Sequence, residues 1–404
     1  MLYSRPQAGL TRVGLTCLLA SATCLWAALV PMDAVFADDG FVVSGTLPTY
    51  GEPYGVKICD LDSDGRNDLV FSNGYYHIGV YIQSSDGSFS TRQDYSHGSL
   101  PFDPVVDDFD GDRILDVAFT CSPGGRGEVR IRHGVGDGTL GPESAIRWSA
   151  NEARQITYND LNRDGLRDFA TAFWGSGGIG IAYADGLGGY TTEFHALIQD
   201  PWGITSGDFI GDSGVDVAAV SRSLGKVAVL ESLPSGGFSA PVEYATTARP
   251  LNMASADLNG DGRLDLAITS QDDAGVVDVL LGRLEGGLAE VVSYSVGGPI
   301  TDVIAEDLNA DGVLDLAMAR MGGIAILHGD GTGVFGNLDT YMMGGDYRTH
   351  HLDAGDLTGD GYPDLVLTCY GDRKIYLLTN TVPEPSTVVL LVCAGFALLA
   401  IYRR

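Results

Sequence analysis

The chain has 404 residues and a formal net charge of −29, from 53 acidic and 24 basic side chains. Hydrophobic residues make up 45% of the sequence and charged residues only 19%, which excludes a disordered polyanion and leaves enough apolar surface for a folded core. The acidic excess, with no Lys/Arg stripe to offset it, argues against nucleic acid as a partner. The 56 glycines, about twice the usual share, indicate a turn-rich all-β protein.

Residues 1–37 have the pattern of a secretory signal peptide. Arg5 and Arg12 give a positively charged start, residues 13–30 form an apolar core, and small residues precede a cleavage point before Asp38. The pattern predicts export and a mature chain that begins near Asp38. An uncleaved membrane anchor is the alternative.

An acidic loop recurs seven times between the two ends of the chain. A fixed period of this length predicts stacked supersecondary units. Seven solvated turns that are acidic by coincidence are the alternative, and their common register argues against it. The copies, called loops one to seven, begin 48, 52, 48, 49, 50 and 49 residues apart at Asp60, Asp108, Asp160, Asp208, Asp257, Asp307 and Asp356.

Oxygen-bearing side chains stand at positions 1, 3, 5 and 9 of most loops, and glycine stands at position 6. Such oxygens converge on one point, and glycine permits the positive φ that turns the chain back. Hard oxygen ligands carrying three or four negative charges favour Ca²⁺. Strand-forming apolar residues follow position 9, unlike the helices that flank EF-hand and dockerin loops. We predict about six Ca²⁺ sites, formed by Asp60, Asp62, Asp64 and Asp68; Asp108, Asp110, Asp112 and Asp116; Asp160, Asn162, Asp164 and Asp168; Asp257, Asn259, Asp261 and Asp265; Asp307, Asn309, Asp311 and Asp315; and Asp356, Thr358, Asp360 and Asp364.

Two loops depart from this pattern. Arg113 replaces the position-6 glycine of loop two. In loop four, Ile210 occupies position 3 and Gly214 stands one place late, so we predict that Asp208, Asp212 and Asp216 form a degenerate site that binds weakly or not at all. The seven loops hold 23 of the 53 acidic residues, so much of the net charge is predicted to be metal-site charge, and calcium is expected to be structural.

Each unit of about 49 residues contains four strand patterns: a first strand, the acidic loop, two further strands, and an outer strand after a Gly-rich hairpin. Seven such units predict an all-β, seven-bladed β-propeller over residues 38–380. The last unit lacks its fourth strand before Pro383, and residues 39–43 match the missing piece. The N-terminal strand is therefore expected to complete the last blade. A linear solenoid is the alternative, and it would leave both half-blades unpaired.

The Asp-Leu-Asn-Gly-Asp-Gly motif at residues 257–262, with Asp265-Leu266 after it and a later Gly-Asp-Gly-Thr-type turn, resembles the FG-GAP/VCBS repeat. This is the propeller type of integrin α-chain heads and of many bacterial surface proteins. The resemblance covers residues from about 40 to 380. It implies Ca²⁺ in the loops between first and second strands, at the positions given above. It does not imply one activity, because the family includes adhesins, lectins and domains appended to enzymes.

Aromatic residues are expected on the face opposite the acidic loops, called the upper face. They could stack on sugar rings or contact a protein, and packing between blades is the alternative. No nucleophile elbow, P-loop or zinc-protease motif is present, and no catalytic residue is assigned. The adjacent His350 and His351 are expected to point to opposite faces of a strand. The candidate ligand-binding residues are Trp174, Trp202, Tyr76 and Tyr54.

The C-terminus combines Pro383-Glu384-Pro385, an apolar run at residues 388–401 and two final arginines. This tail, residues 381–404, resembles the PEP-CTERM sorting signal of bacterial exported proteins. The resemblance implies an exosortase-type protease as a partner, a membrane anchor that is at least transient, and delivery to the cell envelope, cell surface or extracellular matrix. A final buried core segment is the alternative. The cysteines that would remain in the mature chain are expected to be small buried hydrophobic residues: Cys59, Cys121 and Cys369.

Three functional hypotheses follow. The first is a calcium-binding adhesion module at the cell surface or in the matrix, for a polysaccharide or a protein. The second is a secreted carbohydrate-active enzyme, a glycosidase or lyase, built on the upper face. The third is a purely structural envelope component. In each case we expect a monomer.

Overall fold

The computed structural model describes residues 40–381 except 75, 197, 234–236, 248 and 344–347. The signal peptide predicted for residues 1–37 lies outside this range, and so does the sorting tail apart from Thr381. Within the described ranges, no helix is both long enough and apolar enough to span a bilayer.

The strands form seven antiparallel sheets of four strands each, and each sheet is one blade of a propeller. The predicted all-β, seven-bladed architecture is therefore confirmed. Blades one and two contain β2 (Pro53–Cys59), β3 (Asp68–Asn73), β4 (His77–Tyr81) and β5 (Gln93–Ser96), then β6 (Pro101–Asp107), β7 (Asp116–Cys121), β8 (Arg126–Gly134) and β9 (Leu140–Asn151), with a 3₁₀ helix at Pro123–Gly125. Blades three and four contain β10 (Ala153–Asn159), β11 (Asp168–Phe173), β12 (Gly178–Ala184) and β13 (Tyr190–His195), then β14 (Pro201–Gly207), β15 (Asp216–Ser221), β16 (Lys226–Leu230) and β17 (Val242–Ala245). Blades five and six contain β18 (Pro250–Ala256), β19 (Asp265–Ser270), β20 (Val276–Leu280) and β21 (Val292–Ser295), then β22 (Ile300–Glu306), β23 (Asp315–Arg320), β24 (Gly323–Gly329) and β25 (Phe335–Met342).

Blade seven joins the two ends of the described chain. It contains β26 (Thr349–Gly355), β27 (Asp364–Cys369) and β28 (Lys374–Asn380), and its fourth strand is β1 (Phe41–Pro48). Phe41 lies opposite Asn380 and Pro48 lies opposite Lys374 in an antiparallel ladder. The N-terminal strand completes the last blade as predicted, and the ring is closed rather than a linear solenoid.

The first strand of each blade contacts the first strands of the two neighbouring blades, so these seven strands line the inside of the ring. Each of them is paired irregularly near its start, as between Pro53 and Val56 in β2 and between Thr349 and Leu352 in β26. Such an irregularity changes the alternation of side chains along a strand. It therefore decides which residues reach the upper face.

The second strand of each blade carries most of the core. Six of the seven second strands are buried at every residue, because apolar side chains on both faces pack against the neighbouring blades. Among the described residues, seven apolar clusters lie between adjacent blades. Phe71 of blade one, for example, packs in one cluster with Val366 and Ile375 of blade seven. Cys121 and Cys369 are buried and Cys59 is half-buried.

Candidate functional site

The acidic loops lie at the lower face, between the first and second strands of each blade. In every loop the position-1 carboxylate accepts a hydrogen bond from the backbone NH at position 6, as from Gly65 to Asp60 at 2.9 Å. Position 6 has a positive φ even where glycine is absent, 72° at Arg113 and 69° at Ser213. Loops two and four therefore make the same turn as the other five.

The position-9 aspartate is buried in every loop, with 0–1% of its surface exposed. One carboxylate oxygen accepts the NH of the residue at or just after the end of the third strand in all seven blades. In six blades the other oxygen accepts the NH at position 2, as from Leu61 to Asp68 at 2.9 Å. Burial nevertheless raises the pKa of Asp168 and Asp216 to about 6. The position-9 carboxylate thus ties the acidic loop to the third strand of its blade. At Asp168 and Asp216, the backbone hydrogen bonds offset only part of the cost of burying the charge.

The remaining predicted ligands lie on the exposed side of the loops. In loops three, five and six the position-3 amide oxygen and the position-1 carboxylate both accept the NH at position 5, as Asn259 and Asp257 do from Asp261. In loop seven the NH of Thr358 instead donates to Asp364, at 3.0 Å. Loop four presents the apolar side chain of Ile210 at position 3.

Two observations test whether these loops fit a metal ion. Carboxylate oxygens of Asp60, Asp62 and Asp68 lie within 4.8 Å of one another, and so do those of a second group: Asp108, Asp110 and Asp112. In loop six, the Oδ2 atom of Asp315 is buried and has no hydrogen-bond partner. Convergent carboxylates and an orphaned buried oxygen fit a hard cation that prefers oxygen ligands.

The structure adds a residue to loop two that the sequence analysis missed. The Nδ1 atom of His133 lies 3.2 Å from the Asp110 carboxylate and 3.3 Å from the Asp116 carboxylate. These three residues form another group that could hold a metal ion. His133 could have been found from its position in the sequence, because it directly precedes Gly134 at the end of the third strand. Gly134 donates its backbone NH to the position-9 carboxylate of Asp116.

The upper face contains a cavity of about 350 Å³ that all seven blades border. The second residue of every first strand lines it, and these residues repeat at the same intervals as the acidic loops. They are Tyr54, Phe102, Arg154, Trp202, Leu251, Thr301 and His350.

Third residues of the first strands line the same cavity in five blades: Gly55, Asp103, Gln155, Asn252 and His351. His350 and His351, which are expected to point to opposite faces of a strand, both border the cavity. The pairing of β26 is irregular between Thr349 and Leu352, and such an irregularity interrupts the strict alternation of a strand.

Aromatic rings and an arginine form the wall of the cavity at blades two to four. The guanidinium carbon of Arg154 lies 4.7 Å from the ring centre of Phe102, 4.8 Å from that of Trp202 and 5.2 Å from that of Trp174. Trp174 and Trp202 meet edge to face, with ring centres 6.1 Å apart. On the other side of the cavity, Tyr54 packs edge-on against His350 at 4.8 Å.

The four predicted ligand-binding aromatics are placed differently. Trp202 and Tyr54 line the cavity. Trp174 is 38% exposed and reaches the wall through its contacts with Trp202 and Arg154. Tyr76 is 52% exposed in the turn between β3 and β4 and does not line the cavity.

Two arginines that were not predicted from the sequence, Arg154 and Arg222, also line the cavity. Alignment of the seven first strands by the loop intervals would have placed Arg154 beside the predicted aromatics. Arg222 immediately follows β15, and its guanidinium carbon lies 4.9 Å from the ring centre of Trp202. The two guanidinium groups thus contact one indole.

Carboxylates deeper in the ring are paired with cations. The imidazole nitrogens of His351 lie 3.0 Å from Asp103 and 3.0 Å from Asp302. Lys57 lies 3.2 Å from Asp353. Arg154 and Arg222 add two positive charges to the lining of the cavity.

Solved structures show the same fold. BBS1N in its complex with ARL6DN, from a lead-soaked crystal, has a TM-score of 0.60 and 14% identity, over 85% of this chain and 98% of that chain. A lectin from Agrocybe aegerita, described as recognising non-reducing terminal N-acetylglucosamine, has a TM-score of 0.51 and 15% identity, over 79% of this chain and 86% of that chain. At such identities the likeness shows the fold alone.

The sequence comparisons give a family but no individual relative. No curated protein matches this sequence significantly. The model of the FG-GAP-like repeat matches residues 60–119, 108–171, 208–268 and 307–367, and each match begins at the first aspartate of an acidic loop. Since these matches together cover more than half of the chain, the protein belongs to the FG-GAP-like repeat family.

Proposed function

We propose that this protein is an exported, calcium-stabilised β-propeller that binds a polysaccharide at its upper face. The observation that carries the binding role is the cavity that all seven blades border, with Tyr54, Phe102 and Trp202 in its wall. Aromatic rings stack on the apolar faces of sugars. The side-chain amides of Gln155 and Asn252 border the same cavity and can exchange hydrogen bonds with sugar hydroxyls.

Calcium has a structural role in this proposal, at the lower face. The ligands are the predicted oxygens at positions 1, 3, 5 and 9, and loop one combines four carboxylates with the position-6 glycine: Asp60, Asp62, Asp64 and Asp68. Oxygen donors with several negative charges suit Ca²⁺ better than softer metals. At millimolar Ca²⁺ and a Kd of about 0.1 mM, each occupied loop stabilises the fold by about 1.4 kcal/mol. The loops lie at the opposite end of the blades from the cavity, so the ion would act through stability and not through contact with the ligand.

The proposal includes a place for the protein outside the cytoplasm. Residues 1–37 act as the signal peptide, and residues 381–404 act as a PEP-CTERM-like tail that an exosortase-type protease recognises. The support for export, for the transient membrane anchor and for the envelope or matrix location is the sequence pattern of the two ends. An adhesion role then follows from polysaccharide binding at that location.

Two structural neighbours with this fold are known in binding roles, which is consistent with the proposal. One propeller is seen with a protein, ARL6DN, and the other is a lectin specific for terminal N-acetylglucosamine. The aromatic wall of the cavity favours a carbohydrate for this chain. A protein ligand is the alternative, and the experiment below separates the two.

The test is a binding screen against a glycan array and a matrix extract, each in 1 mM CaCl₂. We expect wild-type protein to bind at least one polysaccharide and Trp202→Ala to lose that binding. Tyr76→Ala is the matched control, because it removes an exposed aromatic ring outside the cavity and should leave binding unchanged. Capture of proteins alone would contradict the carbohydrate assignment, and release of soluble sugar fragments would identify an enzyme instead.

A further inference from the structure

We propose that the ligand is an acidic polysaccharide, with a sugar carboxylate held between Arg154 and Arg222 and a sugar ring against Trp202. This inference rests on the proposed function and names the ligand class for the same cavity.

Arg154 carries a positive charge into an aromatic environment. Its guanidinium carbon lies within 5.2 Å of three aromatic ring centres, those of Phe102, Trp174 and Trp202. Burial is the main cause that lowers the pKa of Arg154. Its Nε atom is buried and has no hydrogen-bond partner. Arg154 borders the cavity, so a carboxylate bound there could accept hydrogen bonds from its guanidinium group.

Arg222 approaches the same indole, with its guanidinium carbon 4.9 Å from the ring centre of Trp202. Its Nη2 atom donates to the amide oxygen of Gln271, a neutral partner. Burial, and after it the charge of Arg249, lowers the pKa of Arg222, and the charge of Arg222 adds to the burial that lowers the pKa of Arg154. Like charges held together are unfavourable, and a carboxylate placed between them would relieve the repulsion.

The acidic groups around the two arginines offset only part of their charge. Glu152 accepts a hydrogen bond from Nη2 of Arg154 at 3.4 Å, and because this carboxylate is partly exposed to solvent the ion pair is weakened by screening. Asp200 acts on Arg222 only at longer range, and no carboxylate of the described residues lies within 4.0 Å of Arg222. Asp103 also borders the cavity, but its charge is engaged by His351 and Lys57. The mouth of the cavity is thus locally positive in a protein with a net charge of −29.

A uronic acid matches each part of this wall. Its carboxylate suits the planar fork of a guanidinium, its ring presents an apolar face to the indole, and its hydroxyls suit amide side chains. The cavity of about 350 Å³ falls within the usual range of small-ligand pockets, so it would hold a short stretch of a polymer. An acidic peptide shares the carboxylate but presents no such ring face.

The experiment compares polygalacturonate with the same polymer after full methyl esterification, which removes the charge and keeps the sugar backbone. We expect wild-type protein to bind the acid form at least about tenfold more tightly, with binding that weakens from 50 to 500 mM NaCl. Arg222→Gln should lose about tenfold or more in affinity, and Arg222→Lys should recover only part of it. Arg283→Gln, in an exposed hairpin turn of blade five, should match the wild type.

Each outcome separates this inference from the proposed function. Equal binding of the acid and the ester, or of wild type and Arg222→Gln, overturns the acidic ligand while polysaccharide binding stands. Binding of neutral glycans only would likewise overturn the acidic ligand and leave polysaccharide binding in place. Binding of no glycan at all overturns both, and capture of acidic proteins alone assigns the arginines to a protein partner. Because Arg154 is packed among three rings, Arg154→Gln is interpreted only if its unfolding midpoint equals that of the wild type.

Discussion

The imidazole of His351 in blade seven lies 3.0 Å from the carboxylate of Asp103 in blade two, although blade one stands between them in the ring. Gly55 occupies the equivalent position in blade one, where an added Cβ would come 2.4 Å from Pro104 and 3.3 Å from the Asp103 carboxylate. The absence of a side chain at Gly55 therefore leaves room for this contact. The second imidazole nitrogen lies 3.0 Å from Asp302 in blade six, so one histidine connects three blades near the point of closure.

Loss of this imidazole should destabilise the propeller. Replacing His351 by Gln leaves two mostly buried carboxylates without their shared cation, and breaking a buried ion pair typically costs about 3–5 kcal/mol. The measurement is chemical denaturation of wild type, His351→Gln, Asp103→Asn and the double variant. A coupling energy near zero between the two positions would show that the contact carries no stability.

The same histidine predicts a pH dependence. Burial opposes its charged form, but Asp302 and Asp103 outweigh burial and raise the pKa of His351 to about 10. A raised pKa gives stability that is complete below the unfolded value of about 6.5 and is lost as pH rises through the folded value. We expect the unfolding free energy of the wild type to fall between pH 7 and pH 10 by more than that of His351→Gln. Parallel curves for the two proteins would contradict this prediction.

The buried aspartate of loop four should stabilise the blade without any metal. The Asp216 carboxylate accepts backbone NH groups of Phe209, Ile210 and Ser232 at 2.9–3.0 Å. In Asp216→Asn the side chain keeps one acceptor oxygen and turns an NH₂ group towards the remaining backbone donors. We expect this substitution to lower the unfolding free energy by about 2 kcal/mol, in EGTA as well as in Ca²⁺. Asp212→Asn, on the exposed side of the same loop, is the control and should cost less than about 1 kcal/mol. Equal unfolding midpoints for the two variants would disprove the structural role.

Loop two should gain stability from the glycine that the other loops carry. Arg113 has a φ of 72°, a conformation that costs a residue with a Cβ about 1–2 kcal/mol. We expect Arg113→Gly to raise the unfolding free energy by about 1 kcal/mol, whereas Arg113→Ala keeps the strain and should not. Differential scanning calorimetry in EGTA measures both. A gain shared by the two variants would assign the effect to the arginine side chain.

Loop four should become a calcium site when its missing oxygen is restored. Ser213 already has the positive φ of position 6, so the backbone turn is present and only the side chain of Ile210 departs from the ligand pattern. Ile210→Asp is expected to add about one bound Ca²⁺ per chain, and Ile210→Ala is not. Equilibrium dialysis counts the ions. An unchanged count for Ile210→Asp would show that loop four lacks more than one ligand.

The period of the acidic loops was enough to predict the number of blades, and the strand pattern near Phe41 was enough to predict closure against β28. The number of blades and the closure of the ring both depend on strand pairing, and the strand pattern repeats along the sequence with the same period as the loops. The cavity was harder to predict, because His350 and His351 share it only through an irregular pairing that no residue type announces. Arg154 lies beside Trp202 through a contact between blades three and four, which a strand pattern within one blade does not contain. The sequence also did not predict that the position-9 aspartate is a buried acceptor of backbone hydrogen bonds. An aspartate is equally typical of a metal ligand and of such an acceptor, so the residue type does not distinguish the two roles.

Calcium titration by isothermal calorimetry, on chelator-treated protein, tests the central claim most directly. The account predicts heat from about six Ca²⁺ ions per chain and an unfolding temperature that rises with Ca²⁺ concentration. Absence of binding heat, together with the same unfolding temperature in CaCl₂ and in EGTA, would contradict it.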